Sequence, residues 1–370
     1  MIPVCEPFLS GKELEYVTDC LKTNWISSQG KYIEQFEQRF AAYCGCEYGI
    51  STTSGTTALH LALASLGIGP GDEVIVPAFT MISTAFAIIY TGAKPVLVDA
   101  EPETWNIDVT KIEQKVTRRT KAILPVHIYG HPCDMEPIMN IAQKYSLHVI
   151  EDAAEAHGAE YKGRKAGGIG HIGCFSFYAN KIITTGEGGM VVTNDETIAE
   201  KARALKDLAF SRQMRFLHTD LGFNYRMTNI QAAIGLAQFE KIEQYVEMRR
   251  KNAYLYNHLL KHIPSVTLPP EKEWAKNVYW MYSILIDDKF GISRDELMDQ
   301  LRKEGIDTRT FFIPIHQQPV FENMRLFNRE SYPVAEDLGR RGLYLPSSSG
   351  LTEKQIKQVC QAISKIRGER

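Results

Sequence analysis

The chain has 370 residues, of which 44% are hydrophobic and 23% charged, and its formal net charge at pH 7 is -2. This length exceeds what one small hydrophobic core organises, so we expect a large domain and a smaller one. Lysines and arginines are scattered along the chain, which excludes the basic surface of a nucleic-acid-binding protein. No stretch of eighteen apolar residues predicts a membrane-spanning helix.

Seven cysteines are spread along the chain, and no two of them have the C-x-x-C spacing of a zinc or redox site. We therefore expect no metal site, and we expect the closest pair, Cys44 and Cys46, to be structural. The N-terminus lacks a basic region followed by an apolar stretch, so we expect a cytoplasmic protein.

Short apolar runs alternate with helical patterns along the first two thirds of the chain. Two helix starts have the spacing of a capping box, Ser10 with Glu13 and Thr228 with Gln231. The apolar runs predict buried strands within 73–79, 95–100, 121–130, 147–154 and 188–195. Buried strands separated by helices are typical of an α/β protein with a mostly parallel sheet.

The pattern changes near residue 245. One long helix is predicted over 228–263, followed by a turn-rich segment at 264–274 and a strand over 278–286. We therefore predict a large N-terminal domain over residues 1–245 and a small α+β domain over 246–370.

Three glycines, Gly168, Gly170 and Gly173, have the G-x-G-x-x-G spacing of a dinucleotide-binding motif. That motif binds a pyrophosphate only where a strand ends and a helix begins. Here the glycines follow a polar turn and lead into the strand-like sequence CFSFYA. We therefore interpret them as unrelated to nicotinamide binding.

A better phosphate site lies where the short strand YGIS meets the apolar helix that follows SGTT. The free N–H groups and positive dipole of a helix's first turn favour a phosphate, and glycine allows close approach. Gly55 and Thr56 are the candidate phosphate ligands. The alternative is that residues 52–57 only cap the helix.

Two further residues complete a recognisable set. Asp152 ends a predicted buried strand, the place where open α/β sheets bind their ligands. Lys181 lies in an apolar, glycine-rich setting, although a lone lysine is usually a surface group. Pyridoxal phosphate needs a phosphate anchor, an acid beside its ring nitrogen and a lysine that forms a Schiff base. The three parts occur in this order.

Several segments resemble the DegT family of sugar aminotransferases, which are fold-type I enzymes similar to aspartate aminotransferase. The segments are WISSQGKYIEQFEQRFA, SGTTALHLAL, PAFTMISTAFAI, VHIYGHPCDM, EDAAEAHGA, SFYANKIITTGEGG and NYRMTNIQAAIGLAQ. The resemblance covers nearly the whole chain. It implies a large domain with a mixed, mostly parallel seven-stranded sheet flanked by helices, and a smaller C-terminal α+β domain.

The resemblance implies a role for each matching position. Lys181 matches the lysine that carries pyridoxal 5'-phosphate, Asp152 the carboxylate on the ring nitrogen, and Gly55 with Thr56 the phosphate site. Ser176 matches a serine whose hydroxyl contacts the same phosphate.

Three further positions match the family less directly. Glu155 stands where relatives often have glutamine, in a segment close to the cofactor ring. Met81 stands where relatives commonly stack an aromatic residue on the ring, so it contacts the cofactor with a thioether or is only core filler. Asn224 matches a residue that reaches the phosphate of the neighbouring subunit, which implies a homodimer with shared active sites.

The reaction implied by the resemblance is amino transfer. L-glutamate converts the cofactor to pyridoxamine phosphate and leaves as 2-oxoglutarate, and a nucleotide-linked 4-keto-6-deoxy sugar then takes the amine. The segments at 99–123, 126–135 and 224–238 are most similar to members that aminate C4 of GDP-4-keto-6-deoxymannose, giving GDP-perosamine for the O-antigen of lipopolysaccharide.

Alternatives stay open at this stage. One is a C4 aminotransferase for a UDP- or dTDP-linked sugar, and another is a sugar 3-dehydratase, although dehydratases of this family have histidine in place of Lys181. A non-catalytic scaffold would be expected to lack one of the three cofactor parts.

The substrate residues are less defined by the sequence. Arg309 and His316 match segments that face the sugar nucleotide in relatives. Arg212, Arg215 and His218 could offer charge to a pyrophosphate, or they could be solvated loop residues.

Overall fold

A computed structural model describes residues 1–211, 214, 216–218 and 220–368. Strands β1 to β14 of these residues are, in chain order, Tyr48–Thr52, Glu73–Pro77, Lys94–Val98, Thr120–Ile123, His148–Asp152, Glu160–Tyr161, Arg164–Lys165, Ile172–Ser176, Gly189–Thr193, Val266–Thr267, Ala275–Lys276, Tyr282–Ile286, Arg309–Thr310 and Gly342–Leu345. Helices α1 to α12 are Glu13–Thr23, Lys31–Tyr43, Gly55–Ser65, Ile82–Tyr90, Met135–Tyr145, Glu196–Lys206, Asn229–Phe239, Ile242–Leu260, Arg294–Lys303, Pro319–Asn323, Pro333–Arg341 and Glu353–Gly368.

The main sheet has seven strands in the order β1-β9-β8-β5-β4-β2-β3. The five strands from β8 to β3 run parallel, while β9 is antiparallel to both of its neighbours. The five apolar runs predicted between residues 73 and 195 and the short strand YGIS all lie in this sheet. The α/β class and the mixed, mostly parallel seven-stranded sheet are therefore confirmed.

Helices cover both faces of the main sheet. Helix α3 packs on β8 and β9, and α5 packs on β4 and β5. Residues on opposite faces fall into two hydrophobic clusters, one containing Phe40, Leu61 and Phe175 and the other containing Ile75, Ile138 and Val149. Because both faces are buried, the strands are almost continuously apolar. This is the pattern from which the strands were predicted.

A second sheet lies in the C-terminal third, in the order β10-β12-β14-β13. Its cluster contains Ile284, Leu297 and Ile363, and also Ile2 from the N-terminal segment. Helix α8 contributes to two clusters, because Val246 belongs to the first and Tyr256 to this one. We keep the division at residues 245 and 246, inside α8, as a proposal.

Two predictions about helices are wrong. Helix α1 begins at Glu13 without a side-chain cap, because Glu13 accepts a hydrogen bond from Gln238 at 2.5 Å and the Ser10 hydroxyl contacts Tyr245. The helix predicted over 228–263 is two helices, α7 and α8, which are separated at Glu240 and Lys241. The capping box of Thr228 and Gln231 at the start of α7 is confirmed.

The seven cysteines are free thiols, and Cys44 and Cys46 are buried in the main hydrophobic cluster, as expected of structural residues. Within the described part of the chain, every helix is too short or too polar to cross a membrane.

Candidate active site

A cavity of about 380 Å³ opens at the carboxyl ends of β5 and β8 and the N-terminus of α3. Seven of the eight predicted cofactor residues line it: Gly55, Thr56, Met81, Asp152, Glu155, Ser176 and Lys181. The crevice beyond the carboxyl ends of strands is where sheets of this class bind ligands. The structure thus brings together residues that are more than one hundred positions apart in the sequence.

The N-terminus of α3 has both the cap and the free N–H groups that the sequence left as alternatives. Ser54 and Thr57 form a capping box, in which Thr57 N–H donates to the Ser54 hydroxyl at 3.2 Å. The N–H groups of Gly55 and Thr56 have no protein acceptor among the described residues. Capping therefore leaves two donors available to an anion in the cavity.

Gly55 is needed here for space. A Cβ atom at position 55 would lie 2.6 Å from Ser176 Cβ and 3.2 Å from Ser176 Oγ. The glycine thus lets the end of β8 approach the first turn of α3 and places the Ser176 hydroxyl beside the two N–H groups. This arrangement fits a phosphate, because amide and hydroxyl donors converge on one place.

Asp152 lies at the end of β5 and is 5% exposed. Its carboxylate accepts hydrogen bonds from the Thr84 hydroxyl at 2.8 Å and from Ala154 N–H at 3.2 Å. Burial is the largest influence on this carboxyl and raises its pKa, although both hydrogen bonds oppose the shift. A cationic N–H group in the cavity would be a strong partner for such a desolvated carboxylate.

Lys181 follows a turn after β8, in which its N–H donates to Tyr178 O at 2.9 Å. Its Nζ lies 3.6 Å from the centroid of the Trp280 ring. Within the described residues, no carboxylate oxygen lies within 4.0 Å of this amine. Burial lowers the pKa of Lys181, and the more distant charges of Glu155 and Asp152 oppose that shift. An amine whose pKa is lowered gives up its proton more readily, and once deprotonated it can act as a nucleophile or a base.

Glu155 lies near Lys181 in the cavity wall. One of its oxygens accepts a hydrogen bond from Tyr129 N–H at 2.7 Å. Burial raises the pKa of Glu155 to about 7, although Lys181 and the Tyr129 N–H lower it. Glu155 can therefore give a proton to a group bound in the cavity, or accept one from it, near neutral pH. Glutamine at this position could not do so.

Met81 is at the mouth of the cavity. It precedes the first residue of α4 and its side chain is 46% exposed. It is therefore not core filler on a helix, which was one of the two interpretations of the sequence. Contact between its thioether and a bound cofactor remains a proposal.

Asn224 is the one predicted cofactor residue that does not line the cavity of its own chain. It is exposed, and its side-chain oxygen accepts a hydrogen bond from Arg226 Nε at 3.0 Å. The exposed position leaves the side chain accessible to another molecule.

The structure does not bring the two predicted substrate residues into the cavity. Arg309 pairs with Asp307 at 2.7 Å, and its strand places it opposite Tyr344, a cavity residue. His316 lies against Glu336, with Nε2 3.0 Å from the carboxylate, so its polar edge faces helix α11.

Of the three loop residues that could contact a pyrophosphate, the structure describes only His218. Arg212 and Arg215 lie outside the described residues. His218 Nδ1 contacts Leu208 O at 2.7 Å, which uses one of the two ring nitrogens locally.

Sequence reasoning missed several cavity residues from distant segments. These are Thr80, Tyr178, Asn180, Glu187, Trp280, Phe312 and Tyr344. Trp280 was assigned to a strand over 278–286, whereas β12 begins at Tyr282. A tryptophan in an aromatic run gives no sign that it faces a cavity.

The three glycines of the G-x-G-x-x-G spacing have a structural role. Strand β8 overlaps the predicted strand-like sequence CFSFYA, but it begins earlier and includes Gly173. The preceding turn surrounds Glu151, whose carboxylate accepts hydrogen bonds from Gly167, Ile169 and Gly170 N–H at 2.6 to 2.8 Å and lies 2.9 Å from His127 Nε2. The turn thus binds an anion, but the anion is the chain's own buried carboxylate.

A second, more open groove of about 740 Å³ lies between α1 and α2, near Asp19, Trp25 and Lys31. Lys31 pairs with Asp19 at 2.9 Å and is exposed. This groove is larger than the cavity at β5 and β8, but its lysine is solvated and neutralised. We therefore assign the chemistry to the smaller cavity.

Comparison with known proteins agrees with this geometry. The model of the DegT/DnrJ/EryC1/StrS aminotransferase family matches residues 7–364. Over 99% of this chain, the sequence is 46% identical to the GDP-perosamine synthases of Caulobacter vibrioides and Escherichia coli O157:H7, and 98% of each relative is covered. The crystal structure of Streptomyces venezuelae DesV in complex with a ketimine intermediate is 36% identical, with a TM-score of 0.91 over 97% of this chain and 95% of that one. The chain therefore belongs to the DegT/DnrJ/EryC1/StrS aminotransferase family and is a pyridoxal-phosphate-dependent aminotransferase.

Proposed function

We propose that this enzyme transfers the amino group of L-glutamate to C4 of GDP-4-keto-6-deoxymannose, forming GDP-perosamine. The observation that carries the proposal is the 46% identity to two GDP-perosamine synthases over nearly the whole length of both proteins. The cavity supports the same chemistry, because it combines a half-buried lysine without a carboxylate partner among the described residues, a buried carboxylate and an anion site.

The residues of the cavity fit the cofactor from end to end. Gly55 and Thr56 N–H groups and the Ser176 hydroxyl would bind its phosphate. Asp152 would hold a proton on its ring nitrogen, Met81 would lie against the ring, and Glu155 would lie beside it. When bound, pyridoxal phosphate supplies an aldehyde that binds amines and a ring that withdraws electrons from them.

Lys181 performs two tasks in this arrangement. Its amine would hold the cofactor between turnovers and would serve as a base while a substrate occupies the cavity. Because burial lowers its pKa, Nζ would accept a proton from the donor's α-carbon and give it to the cofactor in the first half of the reaction, and would move a proton from the cofactor to C4 of the sugar in the second half. Trp280, Phe312 and Tyr344 give the cavity apolar walls that exclude bulk water from Nζ.

An activity panel tests the substrate. Purified enzyme would be incubated with L-glutamate and, separately, with GDP-, UDP- or dTDP-linked 4-keto-6-deoxy sugars, and the products would be identified by mass. We expect an amino sugar only from the GDP substrate. Turnover of a UDP or dTDP sugar without turnover of the GDP sugar would refute the assignment of the nucleotide.

The same panel separates amino transfer from dehydration, because a dehydratase product lacks a hydroxyl group and gains no nitrogen. Lys181→Ala should abolish turnover, whereas Lys94→Ala, which changes an exposed lysine outside the cavity, should not.

We further propose that the enzyme is a homodimer in which Asn224 of one subunit contacts the phosphate in the other. Support comes from the exposed position of Asn224 outside its own cavity, and from the exposed apolar side chains of Met81 and Tyr178 at the cavity mouth.

Subunit mixing tests the shared site. Lys181→Ala and Asn224→Ala proteins would each be inactive or nearly so. Unfolded and refolded together in equal amounts, they should recover about a quarter of the wild-type activity, because half of the symmetric dimers would be mixed and each would contain one intact site. No recovery from a refolded dimeric mixture would contradict the proposal.

A further inference from the structure

Trp280 brings an aromatic ring from the C-terminal third of the chain to the cavity lysine. It is 3% exposed and precedes strand β12. Lys181 Nζ lies over its ring face, 3.6 Å from the centroid. At this distance the amine contacts the electron-rich face, which attracts an ammonium group.

The same side chain also contacts the backbone that leads into Lys181. Trp280 Nε1–H donates a hydrogen bond to Asn180 O at 2.8 Å. The Cys5 thiol donates to the same carbonyl at 3.4 Å. One indole ring therefore makes two contacts near Lys181. Its N–H binds the backbone carbonyl that precedes the lysine, and its ring face contacts the amine.

Trp280 is itself held firmly. Its carbonyl accepts a hydrogen bond from Arg249 Nη1 at 2.7 Å, and Arg249 Nε donates to Ser349 Oγ at 3.0 Å. Arg249 is 3% exposed and has no carboxylate partner within the described part of the chain, so its donors are committed to this region. The ring also stacks on Tyr129, with centroids 6.3 Å apart. The backbone and the ring of Trp280 are therefore held by separate contacts.

We propose that Trp280 is a positioning residue for Lys181, whose ring face holds the amine whenever it is not bonded to the cofactor and whose N–H fixes the adjoining backbone. The inference rests on the proposed role of Lys181. A lysine has a flexible four-carbon stem, so an unbound amine would otherwise sample many positions away from the cofactor. Trp280 keeps it close to the atom that it must attack.

The test measures the rate at which cofactor-free protein attaches pyridoxal phosphate to Lys181. The visible absorbance of the lysine-linked cofactor monitors this rate. Trp280→Leu removes the ring face and the N–H, and we expect attachment about tenfold slower, the loss of about 1.4 kcal/mol. Trp280→Phe keeps an aromatic face but no N–H, so we expect attachment about threefold slower.

The matched control is Trp274→Leu. Trp274 is a half-buried tryptophan that contacts His131 and Tyr161 and lies outside the cavity. It should attach the cofactor at the wild-type rate. The thermal midpoint of each cofactor-free variant reports its folding separately from the attachment rate.

Turnover gives a second readout. The Trp280 variants should lower kcat for amino transfer while KM for L-glutamate stays within about twofold, because the lysine acts after the donor binds. An unchanged attachment rate in folded Trp280→Leu would overturn the proposal. If Trp280→Leu does not fold, an unchanged rate in Trp280→Phe would overturn it instead.

One measurement separates this proposal from the proposed function. Borohydride reduction and peptide mapping of the wild type should locate the cofactor on Lys181. If it is found there and the Trp280 variants behave like wild type, only the role of Trp280 is wrong. If it is absent from Lys181 in the wild type, the proposed function itself is wrong.

Discussion

Replacing Gly55 with alanine tests how tightly the phosphate site is built. The added Cβ would lie 2.6 Å from Ser176 Cβ, well inside the separation of about 3.5 to 4.0 Å at which carbon atoms attract each other. Ser176 cannot retreat freely, because its strand pairs with β5 on one side and β9 on the other. The first turn of α3 must therefore shift.

We expect two effects of different size. Overpacking at a buried position costs about 1 to 3 kcal/mol of folding free energy. Displacement of the N–H groups of Gly55 and Thr56 also weakens hydrogen bonds to a charged group, which contribute about 1.5 to 3 kcal/mol each. A loss of 1.4 kcal/mol in binding is tenfold, so pyridoxal phosphate should bind at least about tenfold more weakly.

The assay combines urea unfolding of the cofactor-free protein with a cofactor titration followed by absorbance. The control is Gly69→Ala, whose Cβ would make an ordinary contact of 3.6 Å with Thr91 O. Adding Ser176→Gly to Gly55→Ala should recover stability, because the nearest remaining contact is 3.2 Å from Ser176 Cα. The reasoning is refuted if Gly55→Ala matches the Gly69 variant in both stability and cofactor affinity.

Three other substitutions follow from the buried carboxyl groups. Glu151→Gln should lower the free energy of unfolding by about 3 kcal/mol, because the amide presents N–H groups to backbone N–H donors. Burial opposes the shift, but His127 and those donors lower the pKa of Glu151, so wild-type stability should also fall as pH drops below about 4.5. A variant as stable as wild type would contradict this. Burial raises the pKa of Glu155 to about 7, so the cofactor-free wild type should lose stability as pH rises from 4.5 to 7, whereas Glu155→Gln should lack that component. Identical pH profiles in urea unfolding would argue against it. Asp152→Asn keeps the shape of the side chain but removes its charge, so kcat should fall about a hundredfold or more, and near-normal turnover would be inconsistent with its proposed role.

The sequence predicted the parts of the fold that depend on local pattern. Continuous apolar runs located the strands of the main sheet because both faces of that sheet are buried. Gly55, Asp152 and Lys181 located the cavity, because Gly55 begins a helix, Asp152 ends a strand and Lys181 lies in the turn segment between two strands.

Other features depend on contacts between distant segments, and the sequence could not show them. Glu13 does not form the predicted capping box with Ser10, and its carboxylate accepts hydrogen bonds from Gly11 N–H and from Gln238, more than two hundred residues later. The break between α7 and α8 has neither glycine nor proline to mark it. Trp280 has no motif of its own, and its position against Lys181 follows only from how the C-terminal third packs on the main sheet.

The central claim is that Lys181 carries the cofactor and moves protons for amino transfer, and a half-reaction with L-glutamate tests it most directly. Protein loaded with pyridoxal phosphate would be mixed with L-glutamate alone, and conversion of the cofactor to pyridoxamine phosphate would be followed by absorbance. We predict complete conversion by the wild type and none by Lys181→Ala at the same cofactor occupancy. Conversion by the Lys181→Ala protein at the wild-type rate would contradict the account.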